Sequence, residues 1–407
     1  MTFQFGIDAL LNPANETALQ RLQELRQRRV GLVAHPASVT TTLEHSLDAL
    51  IASNVPVDRA FGPQHGMRGD KQDNMIESED YLDPRHGIPV ISLYGEHRRP
   101  TPAMLEGLDV VLFDLQDVGC RIYTYITTLK YFLEACAAAG VALWVLDRPN
   151  PAGRPVDGLR LETGQESFVG CDILPTRHGL TVGELATWLV AHNTMDVDLQ
   201  IINMRDYAPS QAPGFGWPIL QRPWVNPSPN ASSLNMSRCF AGTVLLEGTH
   251  LSEGRGTTVP LEIIGAPDFP ATEALAWLQK EQPAWLAGVY TRACFFSPTF
   301  HKHQGELCAG IQIHTDFSGY DHELFRPYRL IAGLLKALRS LRPDYDLWRH
   351  HEYEYEPTRI PIDVINGGTF LRTWVDDSAT DCGDLEARLL KEEAAWLTER
   401  QAYLRYL

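Results

Sequence analysis

The chain has 407 residues, 44% of them hydrophobic and 21% charged, the make-up of an ordinary folded protein long enough to bury two or three cores. Its 51 acidic residues outnumber 35 Lys and Arg, a formal charge of −16, which disfavours nonspecific binding to nucleic acid or to an anionic membrane surface. The opening residues (MTFQFGID) lack the basic and apolar regions of a secretory signal and no apolar run is long enough to span a bilayer, so the expected compartment is the cytoplasm.

Residues 28–35 (RRVGLVAH) read as a buried strand, followed by an amphipathic helix over 41–53 capped by Thr41. Further strands are expected over 56–62, 88–95 (IPVISLYG), 108–115 (LDVVLFDL) and 141–146 (VALWVL), with helical segments over 101–107 and 122–139. Near-continuous apolar strands alternating with helices predict a parallel sheet covered on both faces. No G-x-G-x-x-G follows the first strand, so the fingerprint of a dinucleotide site is missing. Six prolines and two tryptophans crowd residues 207–235, where the composition changes, which predicts a sheet domain over 1–230 and a smaller α+β domain over 231–407. In the second region strands are expected at 242–246, 289–296 and 311–314, and helices at 272–281, 324–341 and 385–403. The seven cysteines are scattered without a C-x-x-C pair and read as small buried hydrophobes.

Ligands of parallel sheets bind beyond the carboxyl ends of the strands, and here those ends are rich in polar residues. The loop 62–70 (GPQHGMRGD) holds Gln64, His65 and Arg68 among glycines that let backbone approach a ligand, with the Arg68 fork suited to a carboxylate. The acidic stretch 73–80 that follows offers Glu77 or Glu79, on what is equally readable as a solvated loop. In LFDLQDVGCRIYTY, Asp114 ends a buried strand, Gln116 and Asp117 occupy the turn, and Arg121, Tyr123 and Tyr125 lead into a helix. A carboxylic acid desolvated there has the raised pKa that acid catalysis needs, although Asp117 also suits a helix cap and Asp114 an arginine partner. Arg148 and Asn150 of DRPNP end the next strand in the same crevice. In PTRHGLTVGEL a capping box accounts for Thr181 and Glu184 and leaves His178 over. Glu247, Glu253 and Arg255 of LEGTHLSEGRGTTVP lie on a glycine-rich segment too polar for a core, and Trp217 and Trp224 are suited to stacking on a sugar or to core packing. There is no G-x-S-x-G, P-loop or H-E-x-x-H, and His301 and His303 lack a third ligand for a metal.

Six blocks in order, GPQHGMRGD, ISLYGEHRRPTPAMLEGLDVVLFDLQDVGCRIYTY, LDRPNPAGRPVDG, PTRHGLTVGEL, WVNPSPN (with Asn230) and EGTHLSEGRGTT, resemble the NamZ family of exo-acting β-N-acetylmuramidases, formerly grouped as DUF1343. The resemblance implies a Rossmann-like catalytic domain with an auxiliary C-terminal domain, and release of terminal N-acetylmuramic acid from the non-reducing end of peptidoglycan fragments. It implies no metal or organic cofactor, and a sugar or muropeptide as the partner, within cell-wall recycling. The lactyl carboxylate of that sugar calls for an arginine, and Arg68, Arg121, Arg148 and Arg255 are available. The family's usual Pro-Glu-His-Gly block reads Pro63-Gln64-His65-Gly66 here, and an amide does not transfer protons as a carboxyl group does. The expected acid is therefore Asp114 or Asp117, or else Glu77 or Glu253, with His65 and Tyr125 orienting substrate or shuttling protons and Gln64 binding it. The competing readings are a non-hydrolytic muropeptide-binding protein and a hydrolase of another small anionic substrate, the latter short of a nucleophile beyond Ser92 and Cys120.

Overall fold

The computed structural model describes residues 2–69 and 77–406. Its central sheet is built from β1 (Val30–Ala34), β2 (Val57–Gly62), β3 (Tyr81–Leu82), β4 (Pro89–Ser92), β5 (Val110–Asp114) and β6 (Ala142–Leu146). After an antiparallel pair, β7 (Asp157–Arg160) and β8 (Pro175–Arg177), the chain returns to it as β9 (Leu199–Ile202). The strand order is β3-β4-β2-β1-β5-β6-β9, parallel throughout except for the β3 edge. The chain steps outward from β1 through β2 to β4, returns, and steps the other way from β5 through β6 to β9, which is Rossmann-like winding with a switch between β1 and β5. Every residue of β1, β5 and β6 is buried, the reason these segments are apolar on both faces.

The crevice at the switch is filled by the protein's own side chains. Arg148 Nε and Nη2 donate to Asp114 Oδ1 and Oδ2 at 2.6 and 2.9 Å, and Ser46 Oγ also donates to Asp114. His35 Nε2 accepts from the Gln116 amide at 2.9 Å, and burial, with Arg148 nearby, lowers its pKa to about 3, so the ring is neutral. Gly119 has φ +79°, and a Cβ there would lie 2.1 Å from Asn150 Oδ1, so glycine is what lets the β5 loop pass against the 147–150 turn.

The C-terminal half carries an antiparallel sheet in the order β10 (Ile263–Ala266), β12 (Cys308–His314), β11 (Tyr290–Phe296), with the helix Ala271–Glu281 packed on it; the helix Pro327–Leu341 packs against that helix and against Leu234–Thr243, and Pro327–Leu341 and Cys382–Arg400 both pack against β7. One apolar cluster runs from Phe113 and Leu129 beneath the first sheet to Ile331 and Trp396. Buried Arg329 crosses the same divide, donating to Asp157 at 2.7 Å and to Glu386 and Glu393 of the last long helix.

Two expected elements differ. Residues 242–246 end the helix Leu234–Thr243 and continue as a 3-10 turn, Val244–Gly248, instead of forming a strand; a short apolar run buried all round carries no period to separate the two. Thr41 does not cap the first sheet-covering helix, which spans Ser46–Ala52 behind His45. The Thr41 hydroxyl and amide donate instead to Asp8 at 2.9 and 3.0 Å.

Candidate active site

A cleft opens beyond β2 and β5, walled on the far side by the C-terminal half. Gln64 and His65 enter it from the glycine-rich turn after β2, where His65 has φ 68° and Gly66 φ 74°. Tyr123 and Thr124 come from the connection ahead of the helix Tyr125–Ala139, and Ser228 and Asn230 from the proline-rich segment. Glu247, Arg255, Tyr353 and Glu354 close the opposite wall.

Glu354 is 3% exposed. Gln64 Nε2 donates to its Oε1 at 3.1 Å and the Tyr94 hydroxyl to its Oε2 at 2.9 Å. The Gln64 carbonyl accepts from Thr124 Oγ1 at 2.7 Å, which orients the amide. Burial, and next the negative charge of Glu247, raise the Glu354 pKa to about 7 against the pull of those two hydrogen bonds. The backbone is left-handed at both Glu354 (φ 46°) and Tyr355 (φ 67°), a strained pair for side-chain-bearing residues.

Beside it, Arg255 Nη2 donates to Glu247 at 2.6 Å and Nε to Glu253 at 2.9 Å, while the Tyr353 hydroxyl donates to Glu247 at 2.6 Å. Lys302 Nζ lies 2.7 Å from Glu253. Burial works against the Glu253 charge, but Lys302, Arg255 and His301 outweigh it and lower its pKa to about 2, so Glu253 is a fixed anion. The cleft therefore presents a carboxyl group on the edge of ionisation next to one locked in an ion pair, on a wall held by buried charge pairs.

Residues 30–235 match the family described as Exo-beta-N-acetylmuramidase NamZ, N-terminal, and residues 238–406 match its C-terminal counterpart. The chain belongs to the NamZ family. It is 37% identical over 379 residues, 93% of this chain and 85% of the other, to the peptidoglycan beta-N-acetylmuramidase NamZ of Bacillus subtilis. Among solved structures, a DUF1343 family protein of Bacteroides fragilis superposes with a TM-score of 0.82 at 28% identity, covering 100% of this chain and 99% of that one. A second from the same organism, at 24% identity and TM-score 0.75 with the same coverage, shares the fold.

Of the residues singled out from the sequence, Gln64, His65, Tyr123, Asn230, Glu247 and Arg255 border the cleft of this NamZ family member. The carboxylates expected to act as acid do not. Asp114 is held by Arg148 beneath the switch, and Asp117 Oδ2 accepts from the Gly119 amide at 2.6 Å with His178 Nε2 3.8 Å away. Glu77 is exposed beside Arg98 at 3.3 Å, and Glu253 is buried behind Arg255. The loop stretch around Glu77 includes residues 70–76, which lie outside the described residues.

The remaining candidates hold the scaffold together. Gln116 Nε2 donates to the carbonyls of Asp117 and Pro149, Tyr125 to that of Pro227 at 2.8 Å, and Asn150 Nδ2 to that of Leu180 at 3.0 Å. Arg121 is buried and ties the β5 loop to the carbonyls of Ile365 and Asn366, at 3.2 and 2.9 Å. His178 Nδ1 accepts from the Leu180 amide at 3.2 Å. Arg68 is exposed and stacks over Tyr81, its guanidinium carbon 4.7 Å from the ring centre. Trp217 and Trp224 pack on each other at 5.0 Å, and the latter donates to the Ala231 carbonyl, bracing the proline-rich segment. Burial pushes the Cys120 thiol up to about 12, which removes it as a nucleophile.

Sequence reasoning missed Glu354 and its partner Tyr94. Glu354 sits in the run HHEYEYEP, where nothing local separates it from Glu352 or Glu356. Its neighbours in space, Gln64 and Tyr94, lie 290 and 260 positions away.

Proposed function

We propose that this protein is an exo-β-N-acetylmuramidase that removes terminal N-acetylmuramic acid from the non-reducing end of peptidoglycan fragments, with the cleft between the two halves as its active site. The observation that carries this reading is the pair of carboxyl groups on one wall of that cleft, Glu354 with its pKa raised to about 7 and Glu247 paired with Arg255, in a chain of the NamZ family. Glycoside hydrolysis needs one group able to give a proton to the leaving oxygen and negative charge, or the substrate's own acetamido group, facing the anomeric carbon. Arg255, bordering the cleft between Glu247 and Glu253, is positioned to meet the lactyl carboxylate that distinguishes N-acetylmuramic acid from N-acetylglucosamine.

The setting that fits is cytoplasmic recycling of muropeptides. The seven cysteines are all unpaired thiols, six of them buried, which suits a reducing compartment. Among the described residues no helix is long and apolar enough to cross a membrane.

Incubation with the disaccharide of N-acetylmuramic acid β-linked to N-acetylglucosamine, followed by mass spectrometry, tests the reading. Both free sugars are expected in equal amounts. Recovery of intact disaccharide with measurable binding would replace hydrolysis with sugar binding.

A further inference from the structure

We infer that Glu354 is the proton donor to the glycosidic oxygen and that Gln64 is its positioning residue, the acid being supplied to the strand-end loops by the C-terminal half of the chain. This rests on the glycosidase reading above and names the group that performs it.

The first support is where Glu354 stands. It borders the cleft lined by Gln64, Tyr123 and Arg255, and it also borders an adjoining groove of about 400 Å³ lined by Arg98, Phe168 and Tyr355. A glycosidic bond joins two sugars lodged in neighbouring subsites, and Glu354 is the carboxyl group common to both spaces.

The second is how it is held. Gln64 Nε2 occupies one lone pair of Oε1 and the Tyr94 hydroxyl meets Oε2, so each oxygen keeps a further position for a proton or a substrate atom. Thr124 Oγ1 fixes Gln64 from behind, so the carboxyl group is oriented through two links from the residue just ahead of the helix Tyr125–Ala139. An amide at position 64 supplies a hydrogen bond without a second negative charge. The third support is the strained backbone: left-handed φ at Glu354 and again at Tyr355 turns Tyr353 onto Glu247, Glu354 onto Gln64 and Tyr355 under Arg98. The raised pKa accords with this, since it leaves a proton to give near neutrality.

In the step, the bond between the anomeric carbon and the glycosidic oxygen breaks with its electron pair on the oxygen. That oxygen takes the Glu354 proton and departs as a hydroxyl of the released sugar. A water oxygen then bonds to the anomeric carbon, directly or after the acetamido oxygen has held it, and the proton the water sheds restores the acid.

The test compares Glu354→Gln with the wild type on the disaccharide, whose leaving alcohol must be protonated, and on a dinitrophenyl β-muramide, whose leaving phenolate need not be. The expected loss in kcat/KM is roughly 10²- to 10⁴-fold on the disaccharide and less than about tenfold on the aryl glycoside. Gln64→Ala is expected to lower kcat on the disaccharide more than it raises KM, and to move the basic limb of the pH profile. Equal losses on both substrates, or none, would overturn the role of Glu354 and leave the glycosidase reading standing. A wild type silent on both would instead remove that reading. Should Glu354→Gln not fold, the wild type alone decides: a basic limb near pH 7 on the disaccharide that flattens on the aryl glycoside supports the assignment, and identical profiles refute it.

Discussion

Gln64 and Glu354, 290 residues apart in the chain, are joined by a hydrogen bond of 3.1 Å where the two halves of the protein meet. The contact puts an uncharged donor from a strand-end loop against a cleft carboxyl group whose ionisation lies near neutral pH. The properties of each residue therefore depend on the other.

Gln64→Glu places a second carboxyl group against Glu354. Two carboxyl groups at hydrogen-bond distance share a proton, and the second ionisation of the pair is displaced upward. The basic limb of the kcat/KM profile on the disaccharide is expected to rise from about pH 7 by roughly one unit or more. A limb that stays or falls would mean that the two groups do not meet in solution.

Asp114→Asn removes the carboxylate from the buried Arg148 pair and leaves the guanidinium uncompensated beneath the sheet's switch. Breaking such a pair typically costs about 3–5 kcal/mol. Urea unfolding should show a loss of that order, while kcat per folded molecule should hold, because neither partner borders the cleft.

Glu253→Gln does the same behind the cleft wall. Lys302 keeps its bonds to the carbonyls of Leu246, Thr249 and Leu251, but it and Arg255 lose a shared anion. The loss of stability is expected to be about 3 kcal/mol or more, accompanied by a raised KM because Arg255 is no longer held from both sides. An unchanged melting curve would show that the pair is open to water.

Asp147 couples the end of the chain to pH. Its buried carboxylate accepts from Tyr406, Thr181 and the Gly183 amide at 2.7, 2.9 and 2.8 Å. Burial, and then the charge of Glu184, raise its pKa from 3.8 to about 6. The folded state therefore binds more protons than the unfolded state in that interval. The contribution of Asp147 to stability is full below about pH 4 and is lost as pH rises to about 6, a difference of ~3 kcal/mol at 1.36 kcal/mol per pH unit. Subtracting the stability of Asp147→Asn from that of the wild type at each pH should give a difference that falls across this window and is flat above it.

The strand–helix rhythm of the first half was legible because strands buried on both faces have to be apolar throughout, and the loops because glycine and proline mark turns for backbone reasons. Three of the six blocks that suggested the family run past the ends of β2, β4, β5 and β6, where ligands bind in this architecture, whereas WVNPSPN lies in the proline-rich segment and EGTHLSEGRGTT follows a 3-10 turn. The helix Leu234–Thr243 and its 3-10 continuation escaped, since they are buried on every side and show no polar face to set a period.

Local pattern therefore determined the strand–helix rhythm of the first half and the place of its polar loops, and the resemblance of six sequence blocks to a known family implied the chemical class of substrate. The tertiary structure decided which carboxylate faces the cleft. Asp114 and Asp117 stand at a strand end as expected, yet Arg148 and the Gly119 amide occupy them, while Glu354 reaches the same loops from the far end of the chain. Whether a carboxyl group is an ion-pair partner or an acid depends on desolvation and on the charges within a few ångströms, and those neighbours are assembled only by packing the two halves together.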